Sequence, residues 1–266
     1  MNMKSDVITV EKADRVAMVR FDRGNPANAL SFALMRDLTR VATDLADDSD
    51  LCAVVLSGRK DNFTLGMDLK DEEVSESASA GMAERRVMLK TGPRLCRAWE
   101  KIEALTVVAV EGWCVGGGVA LAVSCDLRVI GASGRMYVAE VERGFNMSWG
   151  SVPRITNLVG PARAKRMVVL AEKLDAGRAV GWGLADEAVP DGAAMDAALQ
   201  MARRAASLPP NGVRMCKAAV NAYANALNGV ASHADMDQFA LTQHSEDFVE
   251  GVEAFMEKRK PRFTGR

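Results

Sequence analysis

The 266 residues are 48% hydrophobic and 26% charged, enough apolar material for a folded core and too much for a disordered or low-complexity chain. Thirty-four Lys and Arg balance 35 Asp and Glu to a formal net charge of −1, so no basic face for nucleic acid or an anionic membrane is expected.

Residues 7–10 and 16–21 alternate or run with β-branched side chains, and Lys12-Ala13-Asp14 between them predicts an opening hairpin. Arg23-Gly24-Asn25-Pro26 is a turn cluster. Ser31 is placed to cap a helix whose Leu34, Leu38, Val41 and Leu45 recur at helical spacing. Residues 53–56 then read as a buried strand, 83–102 as one long helix, and 107–110 as a second buried strand. Gly116-Gly117-Gly118 opens a short helix, and 127–130 is a further strand. Strands alternating with helices imply right-handed crossovers and parallel pairing. From Ser151 onward the pattern is nearly all helical. The chain is therefore divided into an α/β part, residues 1–195, and a helical part, 196–266, too thin for its own core and expected to pack on the first part or on another subunit.

Five scattered cysteines, Cys52, Cys96, Cys114, Cys125 and Cys216, lack metal-ligand spacing and read as small buried apolar residues in a reducing compartment. His233 and His244, the two histidines, offer little for a relay or a metal site. The polar start, Met1 to Glu11, and the lack of a membrane-length apolar run point to a soluble cytoplasmic protein.

Three segments carry the chemistry: Phe63-Thr64-Leu65-Gly66-Met67-Asp68-Leu69-Lys70, Glu111-Gly112-Trp113-Cys114-Val115-Gly116-Gly117-Gly118, and Tyr137-Val138-Ala139-Glu140-Val141-Glu142-Arg143-Gly144. The first two are glycine-containing turns after strands, where open α/β sheets bind ligands and where a helix start presents unpaired N–H groups and a positive dipole end. Neither turn is a phosphate-binding loop of the Gly-Lys-Ser/Thr kind, and the contiguous glycines do not form a dinucleotide fingerprint. Alone, the triple glycine is a weak signal and reads more readily as tight helix–strand packing than as a site.

In this order and spacing, together with Asn28-Ala29-Leu30, Ser124-Cys125-Asp126 and the C-terminal Phe255-Met256-Glu257-Lys258-Arg259-Lys260-Pro261-Arg262-Phe263, the segments resemble the enoyl-CoA hydratase/isomerase (crotonase) superfamily over most of the chain. The wording around Gly66 and Gly112 is similar to that of hydroxycinnamoyl-CoA hydratase-lyases. The resemblance implies an α/β fold, a crotonase-like spiral of ββα units with a C-terminal helical trimerisation region. It implies a homotrimer or a hexamer, and coenzyme A as part of the substrate with no separate cofactor or metal.

By position, the resemblance makes the Met67 and Gly117 amides the oxyanion hole, flanked by Gly66 and Gly116, and Glu140 the acid/base. Ala27, Ala29, Leu65, Asp68 and Leu69 match walls of the CoA site, and Phe255 and Lys258 match contacts from a neighbouring subunit; their plain alternatives are a core aromatic and a solvated lysine. The run 258–260 is a candidate attractor for CoA phosphates. Hydratases of the family resemble one another in using a second glutamate, at the position of Ala120 here. A methyl group moves no proton, so isomerase-type transfer through Glu140 is expected over efficient hydration. The alternatives are a non-catalytic acyl-CoA-binding relative, or a hydratase-lyase or hydrolase acting on a CoA thioester. Glu142 is the local competitor of Glu140, with a solvated charge as its plain reading. Ser148 stands where related dienoyl-CoA isomerases carry Asp and is a polar pocket candidate, with Trp149 beside it as a packing or pocket residue.

Overall fold

The computed structural model describes residues 7–266, so the start of the polar stretch at Met1 lies outside the described residues. The chain opens with the antiparallel pair β1 (Ile8–Ala13) and β2 (Val16–Phe21). The turn falls on Asp14 and Arg15, both at positive φ (50° and 67°), one residue later than Lys12-Ala13-Asp14 implied. Two left-handed residues match the twist of a two-residue hairpin.

The remaining strands are β3 (Ala53–Ser57), β4 (Leu105–Val110), β5 (Trp113–Val115), β6 (Leu127–Gly131), β7 (Arg135–Tyr137), β8 (Leu174–Asp175) and β9 (Glu187–Val189). A six-stranded sheet runs β1-β2-β3-β4-β6-β9, parallel from β2 onward, and a three-stranded sheet runs β5-β7-β8. The path β4 to β5 to the helix Gly117–Ala122, then β6 to β7, steps from the first sheet to the second and back, which is the ββα spiral. The central strands β3, β4 and β6 are largely apolar on both faces because both are covered, whereas the edge strands β1 and β9 are mostly exposed. Val54, Leu56, Val108, Val110 and Ile130 pack with Leu34, Leu38, Leu95 and Trp99 of the helices Phe32–Ala46 and Thr91–Glu100. Val55, Val107 and Val129 face the helix Ala194–Ala206 through Ala194, Ala198 and Ala202, spaced four apart on one stripe. That helix crosses residue 195, and its apolar stripe belongs to the α/β core.

The single helix read over 83–102 is two, Met82–Leu89 and Thr91–Glu100. Pro93 has no N–H, and its ring would strike the carbonyl four residues back, so the first helix stops at Leu89. A helix absent from the sequence reading, Glu72–Ser79, is capped by Asp71, whose side chain accepts from the Glu73 amide at 3.2 Å and the Phe32 amide at 2.7 Å. After Ala206 the helices Pro210–Ala224, Asn228–Ser232 and Asp235–Thr242 bury no residue, and Glu246–Met256 buries Gly251 and Ala254. That last helix lies on the turn Val141–Arg143. A Cβ on Gly251 would stand 2.5 Å from the Arg143 carbonyl carbon, and one on Gly144 2.3 Å from the Asp247 carbonyl oxygen. Four cysteines are buried free thiols; Cys216 is exposed, contrary to the reading of all five as core. No helix among the described residues is long and apolar enough to cross a membrane.

Candidate active site

Three loops meet at the carboxyl ends of β2, β3 and β5. Thr64 bridges Cys114, donating its amide to the Trp113 carbonyl and accepting from the Val115 amide, both at 3.0 Å. Leu30 bridges Met67, with Leu30 N–H donating to Gly66 O at 2.8 Å and Asp68 N–H to Leu30 O at 3.0 Å. In such a parallel bridge the groups of residues 66 and 68 face Leu30, so the Met67 N–H faces the opposite way, toward the turn at Gly117. Gly66 has φ +90°, and a Cβ there would lie 2.7 Å from the Val115 carbonyl oxygen and 3.6 Å from the Gly117 nitrogen. Only glycine lets the two backbones approach so closely.

Gly117 is the first residue of its helix and has no intrahelical acceptor. The Gly116 amide donates to Tyr137 O at 2.8 Å, which fixes the turn without using the Gly117 amide. Among the described residues neither the Met67 nor the Gly117 N–H donates to a protein acceptor. Two unpaired amides from adjoining loops, one at the positive end of a helix, form an electrophilic cradle for an oxygen carrying negative charge.

Glu140 adjoins that cradle. It follows β7 with helical backbone angles (φ −59°, ψ −45°) and starts the 3₁₀ turn Val141–Arg143. Its Oε1 lies 2.5 Å from where a Cβ would stand on Gly116, so the carboxyl rests on the glycine turn. The residue reaches solvent in part, yet Oε2 is shut away from it and has no hydrogen-bond partner among the described residues. Burial pushes its pKa up to about 7, against the lowering pull of the Glu140 and Ala139 amides and the Arg143 guanidinium. A carboxyl that titrates near neutrality is suited to taking a proton and giving it back. Glu142 diverges from it on the turn; it is exposed, as a solvated charge is expected to be, and its carboxylate accepts from the Tyr137 hydroxyl. Burial, then this contact, pushes the Tyr137 hydroxyl up to about 12. Ala120 is fully buried on the helix Gly117–Ala122.

The other expected site residues divide by role. Leu65 and Leu69 are 42% and 38% exposed, apolar side chains beside the cradle. Ala27 and Ala29 engage the site loops through their carbonyls, which accept from the Leu65 amide at 2.9 Å and the Arg23 guanidinium at 3.0 Å. Asp68 is held by Arg23 at 2.5 Å and caps the Lys70 amide at 3.1 Å, so its charge fixes the loop. Ser148 is 8% exposed; its carbonyl accepts from the Ser151 hydroxyl at 2.6 Å, and its own hydroxyl makes no hydrogen bond among the described residues. Phe255, half exposed, lies under the Arg143 guanidinium at 4.0 Å, and Lys258 is exposed. In the run 258–260, Arg259 is already paired with Glu250 (2.5 Å) and Glu257 (2.6 Å), so it is a weaker attractor of phosphate than the sequence implied.

The loop-fixing roles of two residues escaped the sequence reading. Arg23 joins Asp68 to Ala29 O. Asn28, wholly buried at φ +43°, donates to Phe21 O (3.2 Å) and Phe63 O (2.9 Å) and accepts from the Arg23 amide (3.0 Å). Asn tolerates this conformation, which was the available signal. Asn28→Ala is expected to lower stability by about 2–4 kcal/mol, since buried carbonyls lose their donor. A midpoint unchanged in urea titration would refute this tie.

Residues 11–266 match the enoyl-CoA hydratase/isomerase family. The short-chain-enoyl-CoA hydratase of Clostridium acetobutylicum is 29% identical over 97% of this chain and 97% of its own length. The crotonyl-CoA hydratase of Syntrophomonas wolfei is 29% identical, covering 99% of this chain and all of the relative. The crystal structure of carnitinyl-CoA hydratase from Mycobacterium avium superposes with a TM-score of 0.86 at 29% identity, over 99% of this chain and 100% of that one. The loop architecture and these matches agree, and the chain belongs to the enoyl-CoA hydratase/isomerase family, enzymes of the crotonase fold that act on CoA thioesters.

Proposed function

We propose that the protein shifts the double bond of an enoyl-CoA thioester. The thioester oxygen takes the Met67 and Gly117 amides, and the ionised Glu140 carboxylate removes a proton from the α-carbon of a 3-enoyl chain. The electron pair of that C–H bond delocalises onto the carbonyl oxygen as an enolate, which each amide stabilises by about 3 kcal/mol. The protonated Glu140 then returns the proton to the γ-carbon, the enolate collapses, and a 2-enoyl thioester results. The observation that carries this reading is the buried Glu140 carboxyl resting on the oxyanion turn with one oxygen unpartnered. Hydration with two carboxylates has no counterpart at Ala120. Leu65 and Leu69 supply apolar wall for the pantetheine arm, with the Ala27 and Ala29 backbone beside it. The free buried thiols favour a cytoplasmic setting.

Hydration is the second reading, favoured by the names of the relatives, which are hydratases. Incubation with 3-enoyl-CoA and 2-enoyl-CoA in deuterated water distinguishes them. Deuterium at the α- or γ-carbon with double-bond migration supports the proposal; fast formation of 3-hydroxyacyl-CoA with no migration overturns it. Tight binding with no exchange identifies a non-catalytic relative.

We further propose a homotrimer, or a hexamer built from trimers. The helix Pro210–Ala224 leaves Met215, Val220 and Tyr223 at 72%, 65% and 89% exposure, an apolar stripe that water does not favour. Val220→Asp with Tyr223→Glu is expected to yield monomers in sedimentation velocity, against a trimer or larger for the wild type. A monomeric wild type would refute the assembly.

A further inference from the structure

Trp149 stands at φ +61° and Gly150 after it at φ +67°. A left-handed backbone is disfavoured for a bulky side chain and persists only where the surroundings over-determine it. Here they do. Arg154 donates to Trp149 O at 3.2 Å and to Gly150 O at 2.9 Å. The same guanidinium is clamped on both oxygens of Glu100 at 2.9 and 2.8 Å, and the Gly150 amide donates to Asp235 at 2.7 Å.

The backbone so held aims the indole into a notch made by two glycines. A Cβ on Gly92 would stand 2.0 Å from Cε2 and 2.4 Å from Cδ2, so the bond shared by the two rings lies over that glycine. A Cβ on Gly117 would stand 2.7 Å from Cη2 and from Cζ3, so the benzo edge abuts the residue whose amide is the unpaired donor. Trp149 packs against the main core yet stays partly accessible as a residue. Core filling alone requires neither a strained backbone nor an ion-paired clamp.

We propose that Trp149 is the wall of the acyl site and sets an upper limit on acyl length, making the protein selective for short acyl-CoA thioesters. The inference rests on the placement of the thioester at Gly117 given above. A chain leaving a carbonyl bound there meets the benzo edge within a few bonds, and the clamp through Arg154 and Asp235 keeps the ring from swinging aside. Trp149 is a specificity-determining residue; it moves no proton.

The test is calorimetric affinity for CoA and for the unreactive saturated butyryl-, hexanoyl-, octanoyl- and decanoyl-CoA, on wild type, Trp149→Ala and Trp149→Phe. Wild type should bind octanoyl-CoA at least about 10-fold more weakly than butyryl-CoA, and Trp149→Ala should recover at least that factor for the long esters relative to butyryl-CoA. Trp149→Phe, which keeps an aromatic ring in the notch, should move the limit part of the way and serves if the alanine variant does not fold. Wild type that binds octanoyl-CoA as well as butyryl-CoA, or variants that lose all esters equally, would overturn the wall. Failure of wild type to bind any CoA ester would instead overturn the acyl-CoA placement on which the wall depends.

Discussion

Glu140→Gln is expected to lower turnover by about 10²–10⁴-fold while leaving the affinity for CoA esters within a few-fold of wild type. The amide keeps the shape of the carboxyl and cannot accept a proton. In the wild type the base is the ionised form, so kcat/KM should rise with pH through about 7 and then level off. The same burial fixes the sign of a stability effect. A carboxyl whose pKa is raised on folding holds its proton more tightly in the folded state, so folding is favoured at low pH and weakened as pH climbs from 4.5 to about 7. At about 1.4 kcal/mol per pKa unit the full penalty above that window is about 3 kcal/mol, an upper bound because the residue is partly solvated. Glu140→Gln removes it, and its melting temperature should exceed that of wild type at pH 8 but not at pH 4. Activity that survives the substitution would remove Glu140 from the chemistry; a variant less stable at both pH values would contradict the desolvated carboxyl.

Gly66→Ala should be nearly as damaging by a different route. The added methyl carbon would sit 2.7 Å from the Val115 carbonyl oxygen, on a residue at φ +90°, and backbone cannot swing aside as a side chain can. The loop bearing Met67 must then part from the turn bearing Gly117, and the two amides no longer serve one oxygen. Loss of one such donor lowers rates by about 10²–10³-fold. The strained conformation adds about 1–3 kcal/mol of destabilisation. Steady-state kinetics and thermal melting check both; wild-type turnover in a folded variant would show that the apposition of the loops is irrelevant to function.

The order of strands and helices was readable because residues 53–56 and 107–110 are unbroken apolar runs, and 127–130 is interrupted only by Arg128; a strand buried on both faces leaves that mark. The two amide turns were readable for the same reason, and their order supplied the family. Short strands were not: β5, β7 and β8 hold three residues or fewer, and their pairing is decided by partners far along the chain. The break at Lys90 was signalled by Pro93, which the apolar periodicity on either side obscured. The ion pair of Asp68 was not legible because its partner Arg23 lies 45 residues away, and a pattern of residue types does not name the Tyr137 hydroxyl as a donor to Glu142. Trp149 shows the limit most sharply. Its residue type is printed in the sequence, but the left-handed backbone and the glycine notch that give it a direction exist only once Gly92, Gly117, Arg154 and Asp235 are assembled.

The helix Glu246–Met256 rests directly on the turn that begins at Glu140, backbone against backbone at Gly144 and Gly251, with Phe255 beneath Arg143. During synthesis on the ribosome Glu140 emerges long before this support does, so the nascent chain carries the proposed acid/base residue while the turn that holds its carboxyl is still bare. On the proposed role of Glu140, competence arrives with the helix Glu246–Met256, and a chain cut short before residue 246 should be folded at its sheets and inert.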